Sequence, residues 1–217
     1  MNKSIVVFGI GRFGKSIAMT LSENGADVMA VDNDEEIIEM ISPMVSIAIQ
    51  ADLENEEAIS HLGLEHMDAA VVAIGNDLAA SIMAVMISKE KGVPYVIAKA
   101  ANERMGEILK KVGADKIIFP ELQTGIREAR MLLANNFMEY FDIDKNLCMI
   151  EISPKKEWIG KTLKDLDLPR RYHVNVVAIK DHHEMRSHIN LDKVLDEHSA
   201  LVVITEKANL KHLVKLQ

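Results

Sequence analysis

Near the start of the chain a short apolar run, Lys3–Phe8 (KSIVVF), meets Gly9-Ile10-Gly11-Arg12-Phe13-Gly14, and Lys15–Leu21 then continues with helical spacing. A G-x-G-x-x-G between a buried strand and a helix severely limits what can be built around it. Gly9 allows the tight turn, Gly11 the close approach of a pyrophosphate, and Gly14 the close packing of helix on strand. The helix then turns its free N–H groups and the positive end of its dipole towards the phosphates. A second run, Ala26–Asp32 (ADVMAVD), ends in a carboxylate 21 residues after Gly11, where a Rossmann unit places the acid that holds ribose hydroxyls. Loop, spacing and acid together predict a nucleotide site, although a glycine turn can also serve geometry alone.

The rest of the chain repeats the alternation. A helix is expected over Asn33–Ile41, stopped by Pro43, and strands over Val45–Ile49, Ala69–Ile74, Tyr95–Ala98 and Lys116–Phe119. Between them Asn55–Leu62, Leu78–Lys89 and Glu103–Val112 read as helices. Short apolar strands alternating with helices predict an α/β fold with a Rossmann-like, doubly wound parallel sheet, complete by Pro120. From Leu122 to Phe141 the apolar residues Leu122, Ile126, Ala129, Leu133, Phe137 and Phe141 recur at spacings of three and four, predicting one long crossover helix. It either packs on its own sheet or carries its aromatic end, with Tyr140, to a partner subunit. The remainder, with strands at Leu147–Ile152, Val174–Ile179 and Leu201–Thr205 and helices at Lys161–Leu166 and Lys207–Lys215, reads as a small α+β module. The expected division is residues 1–120 for the nucleotide-binding domain, 121–144 for the crossover helix and linker, and 145–217 for the C-terminal module.

Composition narrows the function. Residues 1–136 hold 12 basic and 20 acidic residues and 137–217 hold 13 of each, so neither part has a nucleic-acid footprint. The same acidity disfavours direct binding to anionic lipid. No apolar run approaches the roughly 20 residues needed to span a bilayer. The start passes directly into the glycine loop, so no removable signal peptide is expected. A single cysteine, Cys148, leaves no internal disulfide and no cysteine-cluster metal site, and a cytoplasmic setting is expected.

The residues that could do chemistry are few. Six of the eight histidines lie in the second part, but none sits at a strand end with a partnering acid, and His182-His183 fall in a polar turn. Gly14-Lys15-Ser16 imitates the tail of a Walker A loop, yet the spacing before it is Rossmann-like. The chain holds a nucleotide site without catalytic machinery, so it is not expected to be an enzyme. Asp32, helped by Asn33, suits the ribose of ATP, ADP or NAD(H) and repels a 2′-phosphate. Arg12 is placed to meet a terminal phosphate. Phe13 completes the loop. Asp52 and Leu53 follow the third strand, Ile74, Gly75 and Asn76 the fourth, and Lys99 and Glu121 close the fifth and sixth, all at the sheet edge where such folds bind ligands.

These stretches, VVFGIGRFGKSIA (6–18), AVDNDEE (30–36), QADLENEE (50–57), AAVVAIGND (69–77), LKKVGADKIIFPE (109–121) and LDLPRRYHVNVVAI (166–179), resemble the RCK (regulator of potassium conductance) proteins of Trk/Ktr-type potassium transport. The resemblance implies a homodimer, assembled into an octameric ring beneath a membrane-embedded potassium channel or transporter subunit, in which ATP, ADP or NAD(H) changes the ring and gates ion flux. It places Arg12 near the phosphates and Glu121 near an inter-subunit cation, Mg2+ or another. A second ligand site would use Asn175 and Arg170. There Pro169 stands where many relatives carry the arginine of Asp-Leu-Arg, and this counts against cyclic di-AMP. The competing functions are an NAD-dependent oxidoreductase and a non-sensing structural adaptor.

Overall fold

The computed structural model describes residues 2–75, 77–133, 137–181, 184–210 and 213, with the side chains at 130, 133 and 137–139 also outside the description. The chain divides into two compact units, Met1–Glu121 and Leu122–Gln217.

The first unit alternates β1 (Ser4–Phe8), α1 (Arg12–Glu23), β2 (Asp27–Asp32), α2 (Glu35–Ile41), β3 (Ile47–Gln50), α3 (Glu56–Ser60), β4 (Ala69–Val72), α4 (Leu78–Glu90), β5 (Tyr95–Lys99), α5 (Glu103–Val112) and β6 (Lys116–Ile118). The strands lie in the order β3-β2-β1-β4-β5-β6, and every neighbouring pair is parallel. Alternation within β1 shows why the sheet is covered twice. Val6 and Phe8 join Val31, Val72 and Val96 in a core with Ile59 of α3, Ala84 of α4 and Leu109 of α5. Ile5 and Val7 join Val28 and Ala30 in a second core with Ala18 of α1 and Ile41 of α2. Both faces of β1 are therefore apolar, and burying each large side chain contributes about 1.5–3 kcal/mol. The helices start where small polar side chains cap them: Asp34, Asn55, Asp77 and Asn102 each accept a backbone N–H from the first turn of α2, α3, α4 and α5.

The expected long helix is corrected by the structure. It is α6 (Pro120–Leu133), and Phe137–Asp142 is not its continuation but a strand, β7. β7 runs antiparallel to β8 (Leu147–Ile152), with Tyr140 opposite Ile150 and Phe141 opposite Met149. The spacing of Leu133, Phe137 and Phe141 is helical, but FMEYF is aromatic-rich and suits a pleated surface, and pairing with β8 satisfies the backbone groups along one edge of the strand. Tyr140 is consequently buried at 3 % exposure in the second core, while Phe141 turns the other way at 45 %. On α6, Leu122 and Ile126 are exposed among the described residues, so the apolar stripe survives in shortened form.

The second unit continues with α7 (Leu163–Leu166), α8 (Leu168–Tyr172), β9 (Val174–Asp181), β10 (Glu184–Arg186) and β11 (Ser199–Glu206). Its antiparallel sheet has the order β10-β9-β11-β8-β7. One face packs against Trp158, Leu163, Leu166, Leu168 and Leu195. The terminal range read as a helix shows a 3-10 turn at Lys207–Asn209 and a buried Leu213, and its other residues lie largely outside the described ones.

Candidate functional site

In the first unit the chain winds one way from β1 to β2 and the other way from β1 to β4, since β1 pairs with both. The loops leaving β1 and β4 therefore go to opposite faces and open a crevice at the carboxyl edge of the sheet. A cavity of about 500 Å³ occupies it. Its floor is the glycine loop. Gly9 has φ +84°, a conformation that disfavours side chains, and a Cβ there would come within 3.0 Å of Ile74 N. A Cβ on Gly14 would lie 1.8 Å from the carbonyl oxygen of Gly9, so α1 can approach the loop only because residue 14 has no side chain. Gly11 is different: a Cβ there meets nothing within 4 Å and would project into open space. Gly11 is also the N-cap of α1, with no capping side chain and no acid in the first turn, so the positive end of the helix is left uncompensated.

Asp32 closes one wall. It is 8 % exposed; its Oδ2 accepts the N–H of Ile10 at 2.5 Å and its Oδ1 the N–H of Asp34 at 3.1 Å. The end of β2 is thereby tied to the glycine loop. Asn33, Asp52, Leu53, Ile74 and Gly75 line the same cavity, as do Arg12, Phe13, Lys99 and Glu121. Lys99 bridges β5 to the start of α6: its Nζ lies 2.7 Å from Glu121 Oε1 and 5.8 Å from the centre of the Phe13 ring. The Lys99 hydrogen bond, helped by the residue's own backbone N–H, holds the Glu121 carboxyl below the usual glutamate range. A cation at Glu121 would have to compete with this ammonium. Among the described residues no group of three or more His, Cys, Asp or Glu is arranged to hold a metal.

Most residues expected at the site are thus brought together. Gly14 does not line the cavity but supports its floor; Asn76, His182 and His183 lie outside the described residues. Ile37, Glu54, Ala73, Asp77 and Ala80 also line the cavity and were not expected there. Asp77 had a local signal, since it precedes an apolar helical run and caps α4 through Ala80 N–H at 2.9 Å. Glu54 had none, because its placement depends on the loop after β3 reaching the loop after β4. There the negative charge of Asp77 raises the Glu54 carboxyl above its ordinary range, with a shared hydrogen bond and Asp52 adding to the effect. Five carboxylates (Asp32, Asp52, Glu54, Asp77, Glu121) face two cations, Arg12 and Lys99, around the lining.

The second unit holds a cavity of about 470 Å³ lined by Leu147, Pro169, His173, Asn175, Ile204, Thr205, Glu206 and Asn209. Asn175 is present. Arg170 is not: its side chain is 87 % exposed and lies 3.7 Å from Asp167. Pro169 itself occupies the wall, and α8 turns the arginine outward.

Residues 5–120 match the TrkA-N domain and residues 147–217 the TrkA-C domain. The chain is 35% identical over 99% of its length to the Ktr system potassium uptake protein C of Bacillus subtilis (strain 168), covering 97% of that protein. It belongs to the RCK family of Trk/Ktr-type potassium-transport regulators. The Ktr system potassium uptake protein A of Vibrio alginolyticus is also 35% identical, over 99% of this chain and 97% of that one. The family fold extends into channels: the GsuK channel superposes with a TM-score of 0.69 at 15% identity, over all of this chain and 39% of that one. The RCK domain of GsuK gives 0.67 at 15%, over all of this chain and 48% of that one, so this chain spans less than half of either GsuK chain. No helix among the described residues is long and apolar enough to cross a membrane.

Proposed function

We propose that this protein is the nucleotide-sensing, non-enzymatic subunit that gates a membrane-embedded potassium channel or transporter, and that it acts from the cytoplasm as a homodimer assembled into a ring. In this reading residues 1–120 hold an adenine nucleotide, 121–144 join the paired subunits and 145–217 form the regulatory module. The observation that carries it is the cavity over the glycine loop, in a chain that matches Ktr potassium uptake proteins from end to end. Asp32 would take the ribose hydroxyls and the bare N-terminus of α1 the pyrophosphate. Arg12 would meet the terminal phosphate, the group that differs between ATP and ADP. GsuK, which shares the fold, is known as a channel bound to NAD, which supports a nucleotide in this crevice and keeps NAD(H) beside ATP and ADP as a ligand. Mg2+ or another cation would neutralise the acidic lining and the phosphates together, with Glu121 contributing once Lys99 releases it.

A ligand gates only through differential affinity for two arrangements of the ring, however tightly it binds. The test is calorimetry of the full chain with ATP, ADP and NADH, followed by potassium uptake in cells that carry the membrane subunit with wild-type or Asp32→Ala protein. The proposal expects binding of at least one nucleotide and altered uptake in the variant. Turnover of NADH with a carbonyl substrate would replace it with an oxidoreductase, and no binding of any of the three would leave a structural adaptor.

A further inference from the structure

The second unit contains a charged side chain in an unusual place. Lys155, in the loop after β8, is 8 % exposed, and its Nζ is wholly shielded from solvent without a hydrogen-bond partner among the described residues. Two aromatic rings enclose it: the Tyr172 centroid is 4.8 Å from Nζ and the Trp158 centroid 5.4 Å, and the two rings meet edge to face. Tyr172 is fixed in turn, its hydroxyl accepting from Trp158 Nε1 at 3.4 Å and donating to Glu157 Oε1 at 3.1 Å. Tyr172 is the last residue of α8, and two neighbours on that segment, Pro169 and His173, line the second cavity. His173 follows with φ 56°, a left-handed conformation that a non-glycine residue holds only when its surroundings fix it.

We propose that Lys155 is a proton-sensitive latch on α8: as the neutral amine it locks Trp158 and Tyr172 and thereby the wall of the second cavity, and as the ammonium it leaves the aromatic cage and frees that wall. The driving force is burial. An ammonium without hydrogen-bond partners is penalised in this site far more heavily than the neutral amine, which loses only the hydrogen bonds of an uncharged group. The two ring faces attract the cation and offset part of that penalty. Among the described residues the charged group acting on Lys155 is Glu157, which also favours the ammonium, while Tyr172 is the titratable group facing it. Burial outweighs Glu157, and Lys155 titrates below the ordinary lysine value of 10.5. The sign follows: the closed latch is fully favoured above 10.5, and that advantage is lost as pH falls through the lowered value in the folded chain.

Trp158 is the only tryptophan in the sequence, so the emission of the full-length protein reports on this cage directly. The experiment titrates tryptophan emission of the wild type, Lys155→Met, Lys155→Arg and Lys156→Met between neutral pH and 10.5, with hydrogen exchange over 168–173 measured beside it at each pH. The expected result is a reversible emission change in the wild type and in Lys156→Met, absent from Lys155→Met and Lys155→Arg. Exchange over 168–173 in Lys155→Met should be at least several-fold slower than in wild type at neutral pH and equal to it at the alkaline end. If Lys155→Arg fails to fold, Lys155→Met alone decides. A wild-type emission that does not change over this range, or one that changes equally in Lys155→Met, overturns the proposal, as does exchange over 168–173 that is the same in Lys155→Met and wild type at every pH.

Discussion

Gly11 and Gly14 stand three residues apart in one motif, and the structure assigns them opposite sensitivities. In Gly14→Ala the new methyl would lie 1.8 Å from the Gly9 carbonyl oxygen, so helix and loop must separate by about 1.2 Å to reach 3.0 Å, the closest approach a Cβ makes. The obstructing atom is backbone and cannot rotate away. Overpacking costs about 1–3 kcal/mol, and the better helix propensity of alanine returns at most about 1 kcal/mol. A net loss of about 1–2 kcal/mol is expected, together with a displaced loop. Gly11→Ala meets no atom within 4 Å, and its φ of −62° and ψ of −174° are open to alanine. Only the poorer N-cap remains, worth about 1 kcal/mol or less. The same methyl nevertheless stands where the pyrophosphate would lie, so nucleotide affinity should fall at least about tenfold, or 1.4 kcal/mol. Urea denaturation gives the first quantity and calorimetry with ADP the second. Gly11→Ala protein that is folded and binds ADP as wild type does would remove the glycine loop as the phosphate seat. Gly14→Ala protein of wild-type stability would refute the packing argument.

Three other perturbations follow from the same structure. Asp32→Ala orphans the buried Ile10 N–H and should cost about 1–3 kcal/mol in denaturation midpoints as well as weakening any adenosine ligand in calorimetry; an Asp32→Ala chain as stable as wild type would contradict the assigned bond. Asp115 accepts Val96 N–H at 2.7 Å and Lys89 Nζ at 3.1 Å, and the backbone bond, then Lys89, holds its carboxyl below 3.8. Its contribution is therefore present above 3.8 and lost as pH falls through the lowered value, so Asp115→Asn should flatten the acid limb of the stability profile, by a modest amount given a side chain 35% exposed. Ile126→Asp places a charge on the exposed stripe of α6 and should shift sedimentation towards monomer with the circular dichroism of both units unchanged.

The first unit could be read from the sequence because its rules are local. Each strand is a short apolar run, the helices α2 to α5 begin at Asp34, Asn55, Asp77 and Asn102, and the glycine loop fixes where β1 ends and α1 begins. The cavity lining was legible to the same extent, since residues at strand ends fall at one edge of a parallel sheet. Glu54 escaped because it enters the cavity through a meeting of two loops, which no periodicity records. The stretch after α6 was misread for a related reason. Residues four apart suit both a helical stripe and one face of a strand, and what decides is the partner, here β8, lying across a turn. Lys155 carries no local signal at all: a lysine beside a second lysine and a glutamate reads as solvated surface. Tyr172, brought from α8, joins Trp158 to turn its surroundings into a cage.

The central claim is that one nucleotide site converts ligand identity into subunit arrangement. The measurement that bears on it most directly is the structure of the assembled protein with ATP and Mg2+ and again with ADP. The account predicts two different orientations of paired first units, with Arg12 on the terminal phosphate in the ATP state. The same arrangement in both states, with Arg12 turned to solvent, would contradict it even if both nucleotides lay over the glycine loop.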